Sequence, residues 1–434
     1  MNYIFFITLL LFLYFLKKKK VSFGNRVLIA MVLGTIAGVI FKGNVQSIEI
    51  LGKAYVNLIK MLVIPLVVST VISSVTSLED PNRLKKVGTK TISWLLITTA
   101  AACVVGIIVS LIINPAAGMS FVKDPSFEAR EIPGIASVIL DMVPSNPVAE
   151  MANGKIIPVI IFSLLVGVAI TIEGAKNASV VKPVKDFFNG FSQIMFRITK
   201  IVLKLTPYGV LGLMASVSSK YGLSTILSLG KLVIAVYLAC ILQVVLVHGG
   251  LLAFVAKVNP IKFFKKIYPA QVVAFTTRSS YGTLPVTIKC LTDRVKVSDK
   301  IASFVAPMGA TMGMNGCGGI YPVIVAMFVA EMFNIPMNFY SYIVLVLVTT
   351  IASIGTAGVP GTASIMATVV LASMGLPIEG IAMVIGIDTI LDMARTATNV
   401  TGSSVVALLV ATSESEFNRE EFNLDEDDKL ELSA

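Results

Sequence analysis

The chain has 434 residues, of which 56% are hydrophobic and 14% charged, with a mean hydropathy of +0.87. Soluble domains carry about 25% charged residues, so this chain has too little polar surface for a globule in water, and lipid is the solvent it fits. The net charge of +10 does not point to nucleic acid, because Lys and Arg stand in short clusters between apolar runs, as in loops facing the cytoplasm.

The four cysteines, Cys103, Cys240, Cys290 and Cys317, lie far apart, and His248 is the single histidine. This spacing gives neither a metal cage nor a disulfide framework, so no transition metal is expected. His248 reads as a structural residue near a helix end.

Residues 3–16 are apolar and are followed by Lys17 to Lys20. A cleaved signal peptide carries its charges before the apolar stretch, so an uncleaved first helix with its N-terminus outside is expected. Helical apolar runs then recur at about 24–42, 52–76, 91–114, 156–174, 187–217 and 231–256. Basic residues gather in alternate connections: Arg83, Lys85, Lys86 and Lys90; Lys257, Lys262, Lys265 and Lys266; Arg294, Lys296 and Lys300. Together with Lys17 to Lys20, these define the cytoplasmic side. The acidic stretch from Glu414 onward does not upset that assignment and reads as a solvated tail.

From about residue 263, Gly, Pro, Ser and Thr interrupt the apolar stretches, at 277-TRSSYGTLP-285, 309-GATMGMNGCGG-319 and 353-SIGTAGVPGTAS-364. Broken backbone at membrane depth survives only inside protein or beside a water-filled cavity. Such breaks expose helix ends, whose N–H groups attract anions and whose carbonyls attract cations. The first and third breaks each lie between two apolar arms, as in the tip of a re-entrant hairpin, and look like counterparts in an inverted repeat.

The last long apolar segment contains 387-IDTILDMARTATNVTGSS-404, where Asp388, Asp392, Arg395, Asn399 and Ser403 recur every three or four residues and make one helix face polar. Ionisable groups inside a membrane mark function by default, although Asp392 and Arg395 can also pair with each other at i, i+3. Asp392 suits a substrate ammonium, and the Arg395 guanidinium suits a carboxylate held as a fork. Arg278, Ser279, Ser280 and the free N–H groups of the 277–283 tip suit a second carboxylate. Thr396 shares the face of Asp392 and Arg395. One ammonium and two carboxylates describe an acidic amino acid, or a longer molecule with an amino-acid group at each end. No nucleophile–base pair is present, so an enzyme is not expected.

The segments RSSYGTLPVT, SIGTAGVPG and DMARTATNVTG resemble the dicarboxylate/amino acid:cation symporter family, which has the glutamate-transporter fold, over residues 21 to about 412. KKVSFGNRVL, GATMGMNGCGGIYP and NVTGSS look like its bacterial L-cystine uptake branch. The resemblance implies an all-α polytopic membrane protein in the cytoplasmic membrane. It would have eight transmembrane helices, two re-entrant helical hairpins, one extra N-terminal helix, and a homotrimeric assembly with an elevator mechanism. Residues 1–20 would be the added helix and basic cluster. Residues 21–256 would be mainly scaffold and trimerisation helices, with about 91–114 and 231–256 joining the transport domain. Residues 257–412 would form the transport core and 413–434 an acidic cytoplasmic tail. The hairpin around 353–363 would be the extracellular gate. By resemblance, Asp392 holds the proximal ammonium, and Asn399 with Ser279 and Ser280 the proximal carboxylate. Arg395 reaches the distal carboxylate, and Met314, Cys317 and Gly358 line the middle. Gly316, Gly318 and Gly319 would leave room for a substrate longer than glutamate. An aspartate/glutamate symporter and an amino-acid exchanger are the alternatives.

Glutamate-type members read NMDGT where this chain reads Gly313-Met314-Asn315-Gly316-Cys317, and carry Asp where Ser403 stands. A buried sodium without a nearby anion loses much of its compensation for desolvation, so two of the family's sodium positions look weakened. A third, built mostly of backbone carbonyls, could survive among Thr311, Met314, Ser353, Ile354 and Thr356. Pro322 falls near a carboxylate of proton-coupled members. Coupling to fewer cations is expected, with one sodium first and a proton or pure exchange behind it.

Overall fold

The computed structural model describes residues 2–21, 23–42, 44–76, 87–117, 140, 143–221, 224–355, 358 and 361–424. The expected loop residues Arg83, Lys85 and Lys86, and Thr356 of the expected cation site, lie outside the described residues. The described chain is helical, apart from one isolated antiparallel bridge between Val297 and Phe417.

Helix α1 (Asn2–Lys18) precedes α2 (Phe23–Ile40) and α3 (Gln46–Thr76). Phe6 and Leu13 of α1 are buried with Ala30 and Ala37 of α2 and Leu211 and Ala215 further on. One face of the first apolar run therefore packs against the molecule, while Ile4, Ile7 and Leu11 stay exposed. Helix α4 (Thr89–Ile113) and the short α5 (Pro147–Ala152) follow, the latter capped by the Asn146 side chain. Next come α6 (Ile156–Lys176), α7 (Ala178–Leu203) and α8 (Thr206–Tyr221). The single run expected at 187–217 is two helices that meet at 53°. Pro207 is the second residue of the latter, and a proline cannot supply the N–H that would continue the first.

Helices α2, α3 and α8 cross closely because small residues face neighbouring backbone. A Cβ on Gly34 would sit 2.6 Å from Leu211 O, and one on Gly212 would sit 2.4 Å from Ile48 O. With lipid outside, such close backbone approach supplies the packing that holds helices together.

Helix α9 (Ser224–Leu242) runs on as two wide π-helical stretches, Gln243–His248 and Leu251–Val255. Helix α10 (Pro260–Thr277) begins with the Asn259 cap and ends at Arg278, which adopts a left-handed φ of 54°. Ser279 then caps α11 (Ser280–Lys289) by accepting from Gly282 N–H, and the chain continues as a π-helical stretch to Val295. The two feet of this helical hairpin end together: Ala256 and Lys257 at one foot, and Lys296 and Ser298 at the other, all bond to residues 416–419.

Helix α12 (Asp299–Gly309) stops before a break, and a π-helical turn at Asn315–Ile320 leads into α13 (Tyr321–Met332). Gly313 has φ +64°, and a Cβ there would lie 2.7 Å from Leu95 Cβ, so the break requires glycine on both counts. Helix α14 (Phe339–Ala352) tightens into a 3₁₀ turn at Ser353–Gly355, and α15 (Thr362–Ser373) follows the second tip. Helix α16 (Ile381–Ile385) precedes α17 (Asp388–Ser413), the polar-faced helix, and α18 (Arg419–Asn423) closes the described chain. Among the described residues, Thr89–Ile113, Ile157–Lys176, Ser228–Val255 and Asn315–Met332 are each long and apolar enough to cross a membrane.

Residues 414–424, the described part of the acidic stretch, correct the reading of a solvated tail there. Lys90 pairs with Glu414, and Ser298 hydrogen-bonds Glu416. Arg419 donates to the carbonyls of Ala256 and Lys257, and Lys296 meets Glu421 at 2.7 Å. Phe422 is fully buried in the same core as Phe263, Ile267 and Val405. Two phenylalanines in an acidic stretch, Phe417 and Phe422, supply the apolar anchor that a solvated tail would lack. Lys90, Lys257, Lys262 and Lys296 thus gather around this C-terminal stretch.

Candidate functional site

The polar face of α17 is buried. Asp392, Thr396 and Asn399 are each about 97% inaccessible, and Arg395 is wholly so. Arg395 donates to Asp388 Oδ1 at 2.7 Å and to Asp392 Oδ1 at 3.2 Å through the same terminal nitrogen. Its guanidinium carbon lies 3.9 Å above the centre of the Tyr321 ring, in a cation–π contact. Its Nε and its other terminal nitrogen have no acceptor. A buried guanidinium with two unpaired nitrogens is costly unless a carboxylate meets it.

Asp392 Oδ1 also accepts from Thr396 at 3.3 Å, and Cys317 Sγ lies 3.8 Å away. Asn399 reaches across to the broken segment: its Oδ1 accepts from Gly316 N–H at 2.8 Å and Cys317 N–H at 3.2 Å, and its Nδ2 lies 3.0 Å from Cys317 Sγ. The break before α13 makes this possible, because it presents backbone N–H groups that no helix claims. Gly316 does not leave space for substrate as expected. A Cβ there would stand 2.5 Å from Arg395 O, so this glycine lets the broken segment press against α17. Gly319 packs likewise on Thr99 and Ala102.

The two hairpin tips close over this region. Ser279 Oγ donates to Gly358 O at 3.3 Å, and Tyr281 N–H donates to the same carbonyl at 3.2 Å. A Cβ on Gly358 would meet Ala310 O at 2.5 Å and Ser280 Cβ at 3.0 Å, so glycine is required for the tips to touch. Ser280 is buried with its hydroxyl 3.9 Å from Met314 Sδ. Tyr281 packs edge-on against Phe196 of α7, centroids 6.5 Å apart, and so fills space between the tip and its neighbour. Arg278 is partly buried at the αL corner of the first tip and lies within electrostatic reach of Asp392.

Contacts thus link Ser280, Met314, Cys317, Gly358, Asp392, Arg395, Thr396 and Asn399, all buried, with Ser279 and Arg278 partly exposed at the edge. Asp388, already placed on the polar face, is the closer ion partner of Arg395, seven residues and two helical turns before it. One member escaped the sequence reading. Tyr321 supplies the ring under the guanidinium and gave no signal in a run of apolar residues.

Of the expected cation residues, Ser353 is joined to the break after α12. Gly313 N–H donates to Ser353 O at 3.2 Å, which joins the break after α12 to the 3₁₀ turn after α14. Thr311 lies in the first break, Ile354 in the second, and Met314 is extended with ψ 111°.

Buried charges on one helix, the Ser279–Gly358 contact and an unwound segment before α13 enclose a polar site within an apolar, helical chain. The chain belongs to the sodium:dicarboxylate symporter family, whose model matches residues 23–413. It is 34% identical to an L-cystine uptake protein, TcyP, of Bacillus thuringiensis over 97% of this chain and 96% of that one. It is 33% identical to a proton/sodium-glutamate symport protein of Bacillus caldotenax over 93% and 97%. An uncharacterized symporter of Haemophilus influenzae is 35% identical over 94% and 98%. The protein is a multi-pass membrane transporter and not an enzyme.

Proposed function

We propose that the protein imports L-cystine across the cytoplasmic membrane as a cation-coupled secondary transporter. The observation that carries this reading is the half-used guanidinium of Arg395 beside Asp392: one buried cation with two free nitrogens, and one buried carboxylate, within a helical turn. A substrate with an amino-acid group at one end engages Asp392 through its ammonium. Its proximal carboxylate meets Asn399 and the Ser279/Ser280 tip. A second carboxylate, at the far end of cystine, meets the free nitrogens of Arg395 as a fork. Met314, Cys317 and Gly358 surround the disulfide between them.

In the described state Arg395 draws on Asp388 and Asp392. Binding exchanges one of these contacts for the incoming carboxylate and frees Asp392 for the ammonium, so the pair and the substrate compete for the same groups. The latch between Ser279, Tyr281 and Gly358 must open for entry and re-form behind the substrate, and residues 353–363 act as the extracellular gate. A cation held among Thr311, Met314, Ser353, Ile354 and Thr356 would offset charge and fasten the second hairpin. One sodium is the leading assignment.

The division of labour follows the family: eight spans, two re-entrant hairpins and one added N-terminal helix, with a homotrimer of scaffold domains around elevator-like transport domains. Packing supports this division. Helices α2, α3 and α8 interlock through glycines, while α10, α12 and α17 share the core that buries Phe422. Val67 and Val71 of α3 offer a smooth apolar surface to Gly355 at the second hairpin, which suits sliding. Val180, Phe187, Ile194 and Ile201, exposed at seven-residue spacing along α7, support contact between copies.

Aspartate or glutamate symport is the second reading, favoured by the glutamate relative, since Asp392 and Arg395 suit both substrates. Uptake of labelled cystine into proteoliposomes under separate Na⁺ and H⁺ gradients, with aspartate as competitor, tests the assignment. Strong displacement by aspartate moves it to the second reading, and accumulation that ignores a sodium gradient removes sodium from it.

A further inference from the structure

Behind the substrate region, where α4, the π-helical end of α9, the broken segment and α17 meet, lies a second buried polar cluster. Its members are Thr98, Thr99, Gln243, His248 and Asn315, all 98% or more inaccessible. Asn315 Nδ2 donates to Thr98 Oγ1 at 3.0 Å and to Thr99 Oγ1 at 3.2 Å. Both hydroxyls spend their own protons on the carbonyl of Leu95, at 3.1 and 2.8 Å, so their lone pairs must face Asn315. That fixes the amide: Oδ1 points to His248 Nε2, 3.0 Å away, and Nε2 therefore carries the imidazole proton. Gln243 Nε2 donates to Thr98 O at 3.1 Å and stands 3.4 Å from His248 Nε2, a longer contact than that of His248 Nε2 with Asn315 Oδ1. No charged side chain joins the cluster by a hydrogen bond or ion pair among the described residues. On the α17 side stands Gly402, where a Cβ would lie 2.0 Å from Asn315 Oδ1 and 3.3 Å from His248 Cε1.

Four oxygens thus converge on one junction: two threonine hydroxyls, the Thr98 carbonyl and the Asn315 amide. Uncharged oxygens gathered between helices are the donor set of a hard cation. Here each one is already met by an N–H of the chain itself, from Asn315, Gln243 or His248. The wide π-helical turn makes this possible, because it sets Gln243 and His248 five residues apart on the same inner face. The atoms left without a partner, Gln243 Oε1 and His248 Nδ1, are acceptors.

We propose that Gln243, His248 and Asn315 form a built-in substitute for a dissociable cation, and so act as determinants of ion coupling. The junction ties α4, α9 and the broken segment together permanently with neutral N–H donors. A transport cycle then consumes no ion there, and coupling is left to the carbonyl site around Thr311 and Ser353. This deepens the cation-coupled reading above and rests on it.

The test uses the full-length protein. Because His248 is the single histidine, ¹⁵N-histidine labelling reports one imidazole, with no substrate required. The expected signal is a neutral, Nε2-protonated ring that is the same in Na⁺ and in choline, and the same from about pH 6 to 8, the range where a free histidine titrates. A ring that becomes doubly protonated in that range, or that changes tautomer on adding Na⁺, overturns the proposal. A second arm removes two of the donors with Gln243→Leu and His248→Leu together, which frees the Thr98 carbonyl and Asn315 Oδ1. Uptake by this variant is expected to gain Na⁺ dependence, its Hill coefficient for Na⁺ rising by about one. A variant that binds substrate with the parental Na⁺ dependence overturns the proposal, and if the variant does not fold, the imidazole signal decides. A change of substrate from cystine to aspartate would overturn the functional reading and leave the imidazole result standing.

Discussion

Arg395 is closer to Asp388, two helical turns away at 2.7 Å, than to Asp392, one turn away at 3.2 Å. Both contacts use one nitrogen, so the guanidinium is anchored at one corner and open at the others. An arginine that fully satisfied its carboxylates would be a structural ion pair. This one is oriented by Asp388 and stacked on Tyr321, and two of its nitrogens have no acceptor.

Arg395→Ala is expected to cost cystine binding tenfold or more, since a hydrogen bond to a charged group contributes about 1.5–3 kcal/mol and 1.4 kcal/mol is about tenfold. Small neutral amino acids keep their affinity. Pairing the change with Asp388→Asn avoids leaving both carboxylates buried without a cation. Calorimetric titration of detergent-purified protein with cystine and with serine reads both effects, and unchanged cystine affinity would show that Arg395 is not the distal anchor.

Asp392→Asn removes the ammonium partner and is expected to weaken every amino acid by about tenfold or more, cystine and neutral substrates alike. The same titrations check it. A loss confined to cystine would reassign Asp392 to the distal end.

Gly358→Ala is expected to hold the hairpin tips apart, because the added carbon would lie 2.5 Å from Ala310 O and 3.0 Å from Ser280 Cβ. Cys317, buried at 6% exposure in the closed arrangement, should then react with a maleimide in a background where Cys103, Cys240 and Cys290 are replaced by serine. Labelling equal to that of the parent would mean that the tips do not seal the site.

Phe422→Ala is expected to destabilise the protein by about 3–5 kcal/mol, the usual cost of truncating a buried phenylalanine. The ion pair of Lys296 with Glu421 is partly exposed and contributes little by comparison. A thermal melt of the purified transporter should show the loss as a lower midpoint. An unshifted melt would return the C-terminal segment to the role of a solvated tail.

The positions where the chain breaks were legible in the sequence because Gly, Ser and Pro in an apolar run have one physical meaning at membrane depth, and the breaks at Arg278, Gly313 and Ser353 fall inside the three expected segments. Asp392, Arg395 and Asn399 were legible because helical spacing put them on one face. The partners that come from elsewhere in the chain were not. Tyr321 under Arg395, Gly358 against Ser279 and Tyr281, and Asn315 against His248 are all set by tertiary packing that no local spacing encodes. Gly316 was misread as open space because a glycine that leaves room and a glycine that permits close contact look alike in sequence. The segment after Glu414 was misread for the opposite reason: its charges outweighed Phe417 and Phe422, whose burial turns it back onto the molecule.

The account turns on a carrier that accepts a substrate with a charged amino-acid group at each end. Its most direct test is uptake of labelled L-cystine into proteoliposomes containing the purified protein, with unlabelled cystine, aspartate and glutamate as competitors. Saturable accumulation that unlabelled cystine abolishes and aspartate barely reduces is the predicted result. No saturable cystine uptake, or uptake that aspartate displaces as well as cystine does, would contradict it.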